Sequence, residues 1–233
     1  MPLYQLSSDN LLFPDPCKAL EEPNGLLAIG GDLSCQRLLS AYHSGIFPWF
    51  ESDQPLLWWS PDPRCILRPD RFSPSRSLKR TLRRHACQLW INRDFSQTIQ
   101  LCAQTHHLKT GTWITEQMIQ AYSKLHEQGV AHSIECWDQD TLIGGLYGVS
   151  VGQLFCGESM FHLRQDASKL AIWGLCQHFI KHGGQLIDCQ VTNPHLERLG
   201  AIECSREQFL QHLVDLKQKQ VAPECWELQQ IQL

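Results

Sequence analysis

The sequence predicts an α+β fold, and the main evidence is the order of the elements that follow residue 115. A helical pattern leads into three alternating strand patterns, and a second helix then leads to one more strand. Strands joined by short turns pair antiparallel, whereas a strand that follows a crossover helix can pair parallel. The predicted order is a helix over 115–128, strands over 132–137, 142–149 and 153–161, a helix over 166–182, a strand over 186–191 and a short helix over 194–199.

Local signals support each of these elements. Thr115 is a suitable N-cap for the first helix, and Gly129 is a suitable stop. Residues 132–137 alternate between polar and apolar side chains, which is typical of a β-strand. The second helix carries apolar residues at helical spacing and ends at Gly183-Gly184.

This order is similar to that of the acyltransferase folds related to GCN5-type N-acetyltransferases, an analogy at the level of the fold alone. Those enzymes carry a Gly-rich turn before the helix that follows the antiparallel strands, where backbone amides bind the pyrophosphate of coenzyme A. Residues 163–169 read LRQDASK and contain no glycine. Coenzyme A is therefore disfavoured as the donor.

The first 65 or so residues are rich in turn formers and contain short apolar pieces. Asp32 or Ser34 could cap a short helix through Tyr42 that ends at Gly45. Aromatic residues cluster at 47–50 and 58–59. Such clusters usually pack a core, but they can also line a pocket.

The composition is that of a folded protein with a modest negative charge. Of the 233 residues, 42% are hydrophobic and 19% are charged, and the formal net charge is −4. No apolar run approaches the ~20 residues that cross a bilayer, and no signal peptide is visible, so we expect a cytoplasmic protein without membrane contact. Any contact with nucleic acid must use a local basic patch.

The cysteine and histidine patterns predict neither disulfides nor a metal site. The eleven cysteines are an odd number without a C-x-x-C pair, which favours free thiols in a reducing compartment. His178 and His182 are four apart on the predicted helix and could share a face, but no third ligand has a suitable spacing. No phosphate-binding loop or dinucleotide fingerprint is present, so no cofactor is expected.

A basic helix is predicted over 75–86, with Ser75 as its cap. At ~100° per residue its basic side chains fall within an arc of roughly 140°. No acidic residue lies between Asp70 and Asp94 to balance them. The helix is either a solvated charged face or a phosphate-binding surface. Its basic residues are Arg76, Lys79, Arg80, Arg83 and Arg84.

Three polar residues lie in apolar strand patterns and are candidates for catalysis. Glu158 interrupts the strand over 153–161, and Asp188 and Gln190 are two apart on the strand over 186–191. In a regular strand Asp188 and Gln190 face the same way. A buried carboxylate needs a partner. The alternatives are that Glu158 faces solvent on an edge strand and that Asp188 forms a structural ion pair.

Several longer motifs resemble those of the leucyl/phenylalanyl-tRNA–protein transferase family, in the family's order and spacing from about residue 4 to 201. The tail from about 205 to 233 carries no motif that we can place. The matching strings are EPNGLLAIGGDL (22–33), GIFPWF (45–50), WWSPDPR (58–64), GTWIT (111–115), FCGESMF (155–161) and IDCQ (187–190).

The resemblance implies a fold and an activity. It implies a smaller N-terminal domain over 1–65 and an acyltransferase-like catalytic domain over 66–233. It also implies transfer of Leu or Phe, and less readily Met, from aminoacyl-tRNA to proteins that begin with Lys or Arg. The product is then marked for degradation through the N-degron pathway. An aminoacyl ester is already activated, so no nucleotide cofactor is needed.

The resemblance also assigns roles to residues of this chain. Gln190 would accept a proton from the attacking amine or position it, Asp188 would polarise Gln190, and Glu158 would bind the positively charged N terminus. The basic residues Arg76, Arg80, Arg83 and Arg84 match the cluster that binds the tRNA acceptor stem. The residues expected to line the pocket for the donor side chain are Trp49, Trp113, Leu146, Phe155 and Met160.

Two other functions remain open at this point. A coenzyme A-dependent N-acyltransferase would share the fold but lacks the Gly-rich turn. A non-catalytic RNA-binding module would explain the basic helix but would leave Asp188, Gln190 and the aromatic residues without a role.

Overall fold

Two β-sheets organise the part of the chain that this computed structural model describes, which is residues 3–7, 9–84, 87–110 and 113–233. For Arg84 and for residues 106–110 only the backbone is described. The strands are β1 (Tyr4–Leu6), β2 (Leu26–Gly30), β3 (Phe47–Pro48), β4 (Leu57–Trp59), β5 (Arg64–Leu67), β6 (Gln88–Ile91), β7 (Ala131–Asp138), β8 (Thr141–Val151), β9 (Leu154–His162), β10 (Leu186–Gln190), β11 (Ile202–Cys204) and β12 (Gln229–Ile231).

Helices cover the larger sheet, and short 3-10 turns lie at Pro16–Lys18, Pro69–Arg71 and Pro223–Trp226. No helix in the described ranges has the length and apolar character needed to cross a membrane. The α-helices are α1 (Cys35–Tyr42), α2 (Arg76–Arg84), α3 (Phe95–Thr110), α4 (Glu116–Glu127), α5 (Ala167–Lys181), α6 (Pro194–Arg198) and α7 (Arg206–Leu216).

The two sheets differ in size and in strand direction. The four-stranded sheet has the order β1-β2-β4-β3, with β1 and β2 parallel. The eight-stranded sheet has the order β11-β5-β10-β9-β8-β7-β6-β12. In it β7, β8 and β9 pair antiparallel, whereas β10 pairs parallel with β9 after the crossover through α5. The predicted mixed architecture, including the strand delivered by a crossover helix, is confirmed.

The capping signals read from the sequence are also confirmed. The Thr115 hydroxyl accepts a hydrogen bond from the Met118 N–H at 3.3 Å, so α4 begins at Glu116. Ser75 caps α2 in the same way through the Leu78 N–H at 3.1 Å. Ser34, rather than Asp32, caps α1. The predicted helix over 75–86 extends to Arg84, and positions 85 and 86 lie outside the described residues.

The sequence reasoning missed helix α3, which packs on β8 and β9, and the elements of the C-terminal tail. Helix α3 has many polar residues, and among its described side chains only a narrow apolar face is buried. The tail over 205–233, in which we placed no motif, forms α7, a 3-10 turn and the edge strand β12. Helix α7 begins with a capping box formed by Ser205 and Gln208, which is a signal that the sequence did contain.

The N-terminal segment packs on the large sheet through one shared core. Leu38 and Tyr42 of α1 belong to the same buried cluster as Met118 and Tyr122 of α4. The four-stranded sheet itself lies within residues 4–59. The division into domains over 1–65 and 66–233 stays a prediction.

Candidate active site

The parallel strands β9 and β10 separate partway along their length and leave a cavity between them. They pair through Leu186 with Leu154, Ile187 with Phe155 and Asp188 with Cys156, and the pairing ends there. Beyond this point β9 continues along β8, and β10 continues along β5. Side chains that follow the point of separation can therefore reach the space between the strands.

A bulge in β9 places Glu158 at the point of separation. Ser159 pairs with Tyr147 and Gly157 pairs with Gly148, so Glu158 is an extra residue without a cross-strand partner. A bulge redirects a side chain and breaks the alternation of the strand. Gly148 permits this geometry because a Cβ at that position would lie 2.2 Å from the Cys156 carbonyl oxygen.

A second irregularity places Gln190. Its backbone is left-handed, with φ of 59°, and the pairing with β5 shifts between Asp188 and Gln190. The expectation that regular alternation puts both side chains on one strand face is therefore wrong, because the alternation does not extend to Gln190. Left-handed backbone costs a residue with a side chain about 1–2 kcal/mol, and such strain is often found at functional sites.

The cavity has a volume of about 640 Å³, which suits a small organic ligand. Every residue predicted for the pocket lines it, and so do both Glu158 and Gln190. Asp188 does not line it. The lining residues named from the sequence are Trp49, Trp113, Leu146, Phe155, Glu158, Met160 and Gln190.

The apolar part of the cavity has a buried floor and an open rim. Leu146 and Phe155 are almost fully buried, whereas Trp49 is 44% exposed. The Trp59 indole N–H donates to the Trp49 carbonyl oxygen at 2.6 Å and so holds this rim in place. Trp113 is half-buried, and positions 111 and 112 of its motif lie outside the described residues. An apolar side chain can enter while its polar end stays near the opening.

Asp188 forms a buried ion pair with Arg64, a residue to which the sequence reasoning gave no role. Arg64 Nε and Nη2 donate to the two carboxylate oxygens at 2.8 and 2.7 Å, and both side chains are buried. Arg64 Nη1 also donates to the Gly45 carbonyl oxygen at 3.1 Å. The guanidinium lies over the rings of Phe47 and Phe209. The structural ion pair considered as an alternative for Asp188 is thus present.

The ion pair holds the backbone of Gln190 and leaves its side chain free. Asp188 Oδ1 accepts a hydrogen bond from the Gln190 backbone N–H at 3.0 Å. The Gln190 side-chain Nε2 is buried and has no hydrogen-bond partner among the described residues. A buried donor without a partner is costly, so this amide is available to a ligand in the cavity.

Glu158 lies in a buried cluster of tyrosines. The Tyr122 hydroxyl donates to Glu158 Oε2 at 3.2 Å, and the Tyr42 and Tyr122 hydroxyls form a short hydrogen bond. Glu158 Oε1 is buried and has no partner among the described residues. Burial raises the pKa of Glu158 to about 8, despite the opposing hydrogen bonds from the tyrosines. Strand β9 lies between β8 and β10, so the alternative of an edge strand is wrong.

Glu135 provides a useful contrast within the same sheet. It is fully buried, but its carboxylate accepts hydrogen bonds from the Ser133 hydroxyl, the Asp94 backbone N–H and the Trp137 indole. All of these partners belong to the protein, so Glu135 is structural. Glu158 keeps one carboxylate oxygen for a ligand.

The basic helix α2 is anchored near the beginning of α5. Leu78 is buried, and the Thr81 hydroxyl donates to Asp166 at 3.3 Å just before α5. Ser168, two residues after Asp166, lines the cavity. Arg76, Lys79, Arg80 and Arg83 are exposed, and none of them forms an ion pair with another described residue. The side chain of Arg84 lies outside the described residues.

Comparison with known proteins identifies the family. The model of leucyl/phenylalanyl-tRNA protein transferase matches residues 66–214, and the model of the N-terminal domain of that family matches residues 31–62. A solved structure of L-PGS from Bacillus licheniformis aligns at a TM-score of 0.40 with 10% identity, over 73% of this chain and 57% of that chain. Likeness at that level supports no argument.

Curated relatives match over nearly their whole length, and each is named leucyl/phenylalanyl-tRNA–protein transferase. The protein of Pectobacterium carotovorum is 54% identical, over 99% of this chain and 98% of its own. Those of Idiomarina loihiensis and Tolumonas auensis are 52% and 50% identical, over 99% and 100% of this chain and 98% and 100% of their own. The resemblance read from the motifs is confirmed: the chain belongs to the leucyl/phenylalanyl-tRNA–protein transferase family.

Proposed function

We propose that this chain transfers Leu or Phe, and less readily Met, from aminoacyl-tRNA to the N-terminal Lys or Arg of acceptor proteins. The observation that carries the proposal is the cavity itself. Its apolar floor opens beside Gln190 and Glu158, each of which keeps one buried side-chain atom without a hydrogen-bond partner in the described part of the chain. The apolar side chain of the donor, the ester that links it to the tRNA and the amine of the acceptor can therefore meet in this cavity.

The donor side chain fits the apolar part of the cavity. Leu146 and Phe155 provide a rigid buried floor. Met160 and Trp113 provide adaptable and aromatic walls that suit both a branched aliphatic and a planar ring. A charged side chain would lose its hydration there without gaining a partner, which disfavours it as a donor.

The reaction is aminolysis of an ester that is already activated. The α-amine nitrogen attacks the ester carbonyl carbon, the bond to the ribose oxygen of the tRNA breaks, and the amine proton ends on that oxygen. An N-terminal amine has a pKa of about 7.7–8.0, so a useful neutral fraction exists near neutral pH. A mild group such as the Gln190 amide can therefore suffice, by holding the amine and accepting its proton.

Asp188 acts through Arg64 and the backbone rather than by touching the substrate. The ion pair fixes the carboxylate, and the carboxylate fixes the Gln190 N–H at 3.0 Å. This contact supports the left-handed backbone that aims the Gln190 side chain. Asp188 is thus a positioning residue in this proposal.

Glu158 binds the positive charge of the acceptor. Its pKa of about 8 reflects burial, which outweighs the hydrogen bonds from the tyrosines and the more distant charge of Arg64. An arriving ammonium or guanidinium group favours the ionised carboxylate and forms a charge-assisted hydrogen bond with Oε1, to which no described residue is hydrogen-bonded. The preference for an N-terminal Lys or Arg follows from this charge.

Helix α2 provides the surface for the acceptor stem of the tRNA. Its exposed cations are free of ion pairs within the described residues, and the helix is anchored next to the cavity through Asp166. Contacts to phosphates fix position without reading sequence. Arg84 is included among these cations because of its position in the sequence, since its side chain lies outside the described residues.

The same proposal includes the more specific features that the resemblance to the family implies. They are a GCN5-type acyltransferase-like fold, domains over 1–65 and 66–233, a cytoplasmic location and acceptors destined for the N-degron pathway. The rival coenzyme A chemistry lacks support at the turn before α5. The Leu163 and Arg164 amides both bond the Ile143 carbonyl oxygen, so they are not free to bind a pyrophosphate.

A transfer assay tests the proposal. Radiolabelled leucyl-tRNA is incubated with the full chain and a peptide that begins with Arg, in the absence of ATP. We expect label in the peptide, and a peptide that begins with Asp should stay unlabelled. Parallel reactions with acetyl-coenzyme A should release no free thiol. An unlabelled Arg peptide, or thiol release that depends on the peptide, would overturn the proposal.

A further inference from the structure

Three buried side chains with metal-binding atoms meet at the end of α5, away from the active-site cavity. They are His178, His182 and Cys225, and one ligand atom from each lies within 4.8 Å of the others. Each side chain is at most 8% exposed, and none of them lines the cavity. Sequence spacing offers no third ligand for the two histidines, because Cys225 is distant in sequence and comes close only through folding.

The two imidazole rings are already held by backbone carbonyl groups. His178 Nε2 lies 2.7 Å from the Cys225 carbonyl oxygen, and His182 Nδ1 lies 2.7 Å from the His178 carbonyl oxygen. A neutral imidazole that donates from one nitrogen presents a lone pair on the other. Metal-binding histidines are typically oriented in this way by a carbonyl or carboxylate acceptor. His178 Nδ1 and His182 Nε2 are thus the nitrogens left for a metal.

The backbone brings the third residue to the histidines. The Ala222 N–H donates to the His182 carbonyl oxygen at 2.9 Å, and this bond docks the 3-10 turn Pro223–Trp226 against the end of α5. The Cys225 thiol is fully buried at this junction. The group is therefore assembled by contacts that need no metal.

We propose that His178, His182 and Cys225 bind one Zn²⁺ ion, with a water molecule as the fourth ligand. Nitrogen and thiolate ligands in this mixture suit zinc better than hard cations such as Mg²⁺ or Ca²⁺. Tetrahedral zinc places its ligand atoms about 3.3–3.7 Å apart. The observed limit of 4.8 Å between the three ligand atoms lies about 1 Å above that spacing. The thiol proton leaves to solvent, and no redox change occurs.

The position of the site indicates a structural role. Cys225 precedes Trp226, whose ring lies 5.2 Å from that of Phe155 and stacks on His132. Phe155 forms the floor of the active-site cavity. A metal at Cys225 would fix the C-terminal segment to α5 and, through Trp226, support the cavity. The alternative is a metal-free cluster of core histidines held only by the carbonyl bonds.

Cobalt titration of the untagged full chain, after treatment with a chelator, tests the proposal. Co²⁺ in a tetrahedral site with one thiolate gives a thiolate charge-transfer band in the near ultraviolet and intense visible bands. We expect both to saturate at one equivalent, to disappear on addition of Zn²⁺, and to be accompanied by a higher Tm of the zinc-loaded protein.

Matched variants assign the ligands. Cys225→Ser should abolish the charge-transfer band, and His182→Gln should weaken Co²⁺ binding at least tenfold. The exposed residues Cys17 and His212 provide the controls Cys17→Ser and His212→Gln, which should bind like the parent chain. Circular dichroism identifies any variant that fails to fold, and His182→Gln is the more conservative of the two. Absence of stoichiometric binding by the parent chain, or equal binding by a folded His182→Gln variant, would overturn the proposal.

Discussion

At the scale of single residues, the buried ion pair of Arg64 and Asp188 both stabilises the fold and holds the backbone of Gln190. Replacing Asp188 with Asn leaves the Arg64 guanidinium buried without its counter-charge. We expect a loss of about 3–5 kcal/mol in the free energy of unfolding. Urea unfolding measures this loss. The half-exposed pair of Arg164 and Asp138 provides a control, because Asp138→Asn should cost less than about 1 kcal/mol. Equal losses in the two variants would mean that the Arg64–Asp188 pair contributes no more than an exposed pair.

The double variant Arg64→Met/Asp188→Leu separates the structural from the catalytic contribution of the same pair. It removes both charges, so part of the lost stability should return. Turnover should stay low, because the Gln190 N–H still lacks its carboxylate acceptor. Recovery of kcat together with stability would mean that the pair does not position Gln190.

Gln190 offers a test that distinguishes its backbone from its side chain. Gln190→Gly and Gln190→Ala both remove the amide group, so both should lose turnover while they still bind charged tRNA. Glycine tolerates the left-handed φ of 59°, so the Gly variant should be about 1 kcal/mol more stable than the Ala variant. Denaturant unfolding and filter binding measure the two properties. Weaker tRNA binding in both variants would instead make Gln190 a structural residue.

The raised pKa of Glu158 predicts a specific dependence of the stability of the folded chain on pH. The folded chain keeps a proton on Glu158 up to a pH of about 8, whereas the unfolded chain releases it near the reference value of 4.5. Between these values the folded state binds more protons, so stability falls as the pH rises and levels off above about 8. Glu158→Gln cannot titrate and should flatten the curve of Tm against pH in this window. The exposed Glu197→Gln should leave the curve unchanged, and a Glu158→Gln curve parallel to that of the parent would refute the raised pKa.

At the scale of secondary-structure elements, the features that could be predicted from the sequence are those that depend on residues close together in the chain. The caps Thr115, Ser75 and Ser34 act within one turn of the chain, and the predicted positions hold. The bulges at Glu158 and Gln190 depend instead on neighbouring strands. Gly148 makes room for one of them, and Asp188 bonds the backbone of the other. Neither contact leaves a periodic pattern in the sequence.

The site itself could be predicted only in part for the same reason. The pocket residues could be predicted because they lie in long motifs that resemble those of the family. The partner of Asp188 is Arg64, 124 positions away, and no spacing rule connects them. The tyrosines around Glu158 look like ordinary core residues until α1 and α4 bring Tyr42 and Tyr122 together.

Helix α2 carries exposed cations, and these charges predict how tRNA binding depends on salt concentration. The double variant Arg80→Ala/Arg83→Ala should raise KM for aminoacyl-tRNA and flatten the dependence of binding on salt, because two phosphate contacts are lost. The double variant Lys18→Ala/Lys124→Ala changes the net charge equally at exposed sites elsewhere and should have little effect. Equal effects of the two double variants would indicate a general charge effect rather than a binding surface.

At the scale of the whole molecule, the N-terminal segment and the large sheet enclose one cavity. Trp49 comes from the N-terminal segment, whereas Glu158 and Gln190 come from the central strands of the large sheet. The Arg64 side chain joins these parts by binding both Asp188 and the Gly45 carbonyl oxygen. The proposed activity therefore requires the full chain, and neither segment alone supplies a complete site.

Mass spectrometry of the product shows directly whether an aminoacyl group is transferred and to which amine. A peptide that begins with Arg and contains an internal Lys is incubated with leucyl-tRNA and the full chain. Fragment ions then locate the added residue. We expect a single leucine on the α-amine of the Arg, and none when that amine is acetylated. An unmodified peptide, or leucine on the Lys side chain, would be incompatible with the proposed transfer.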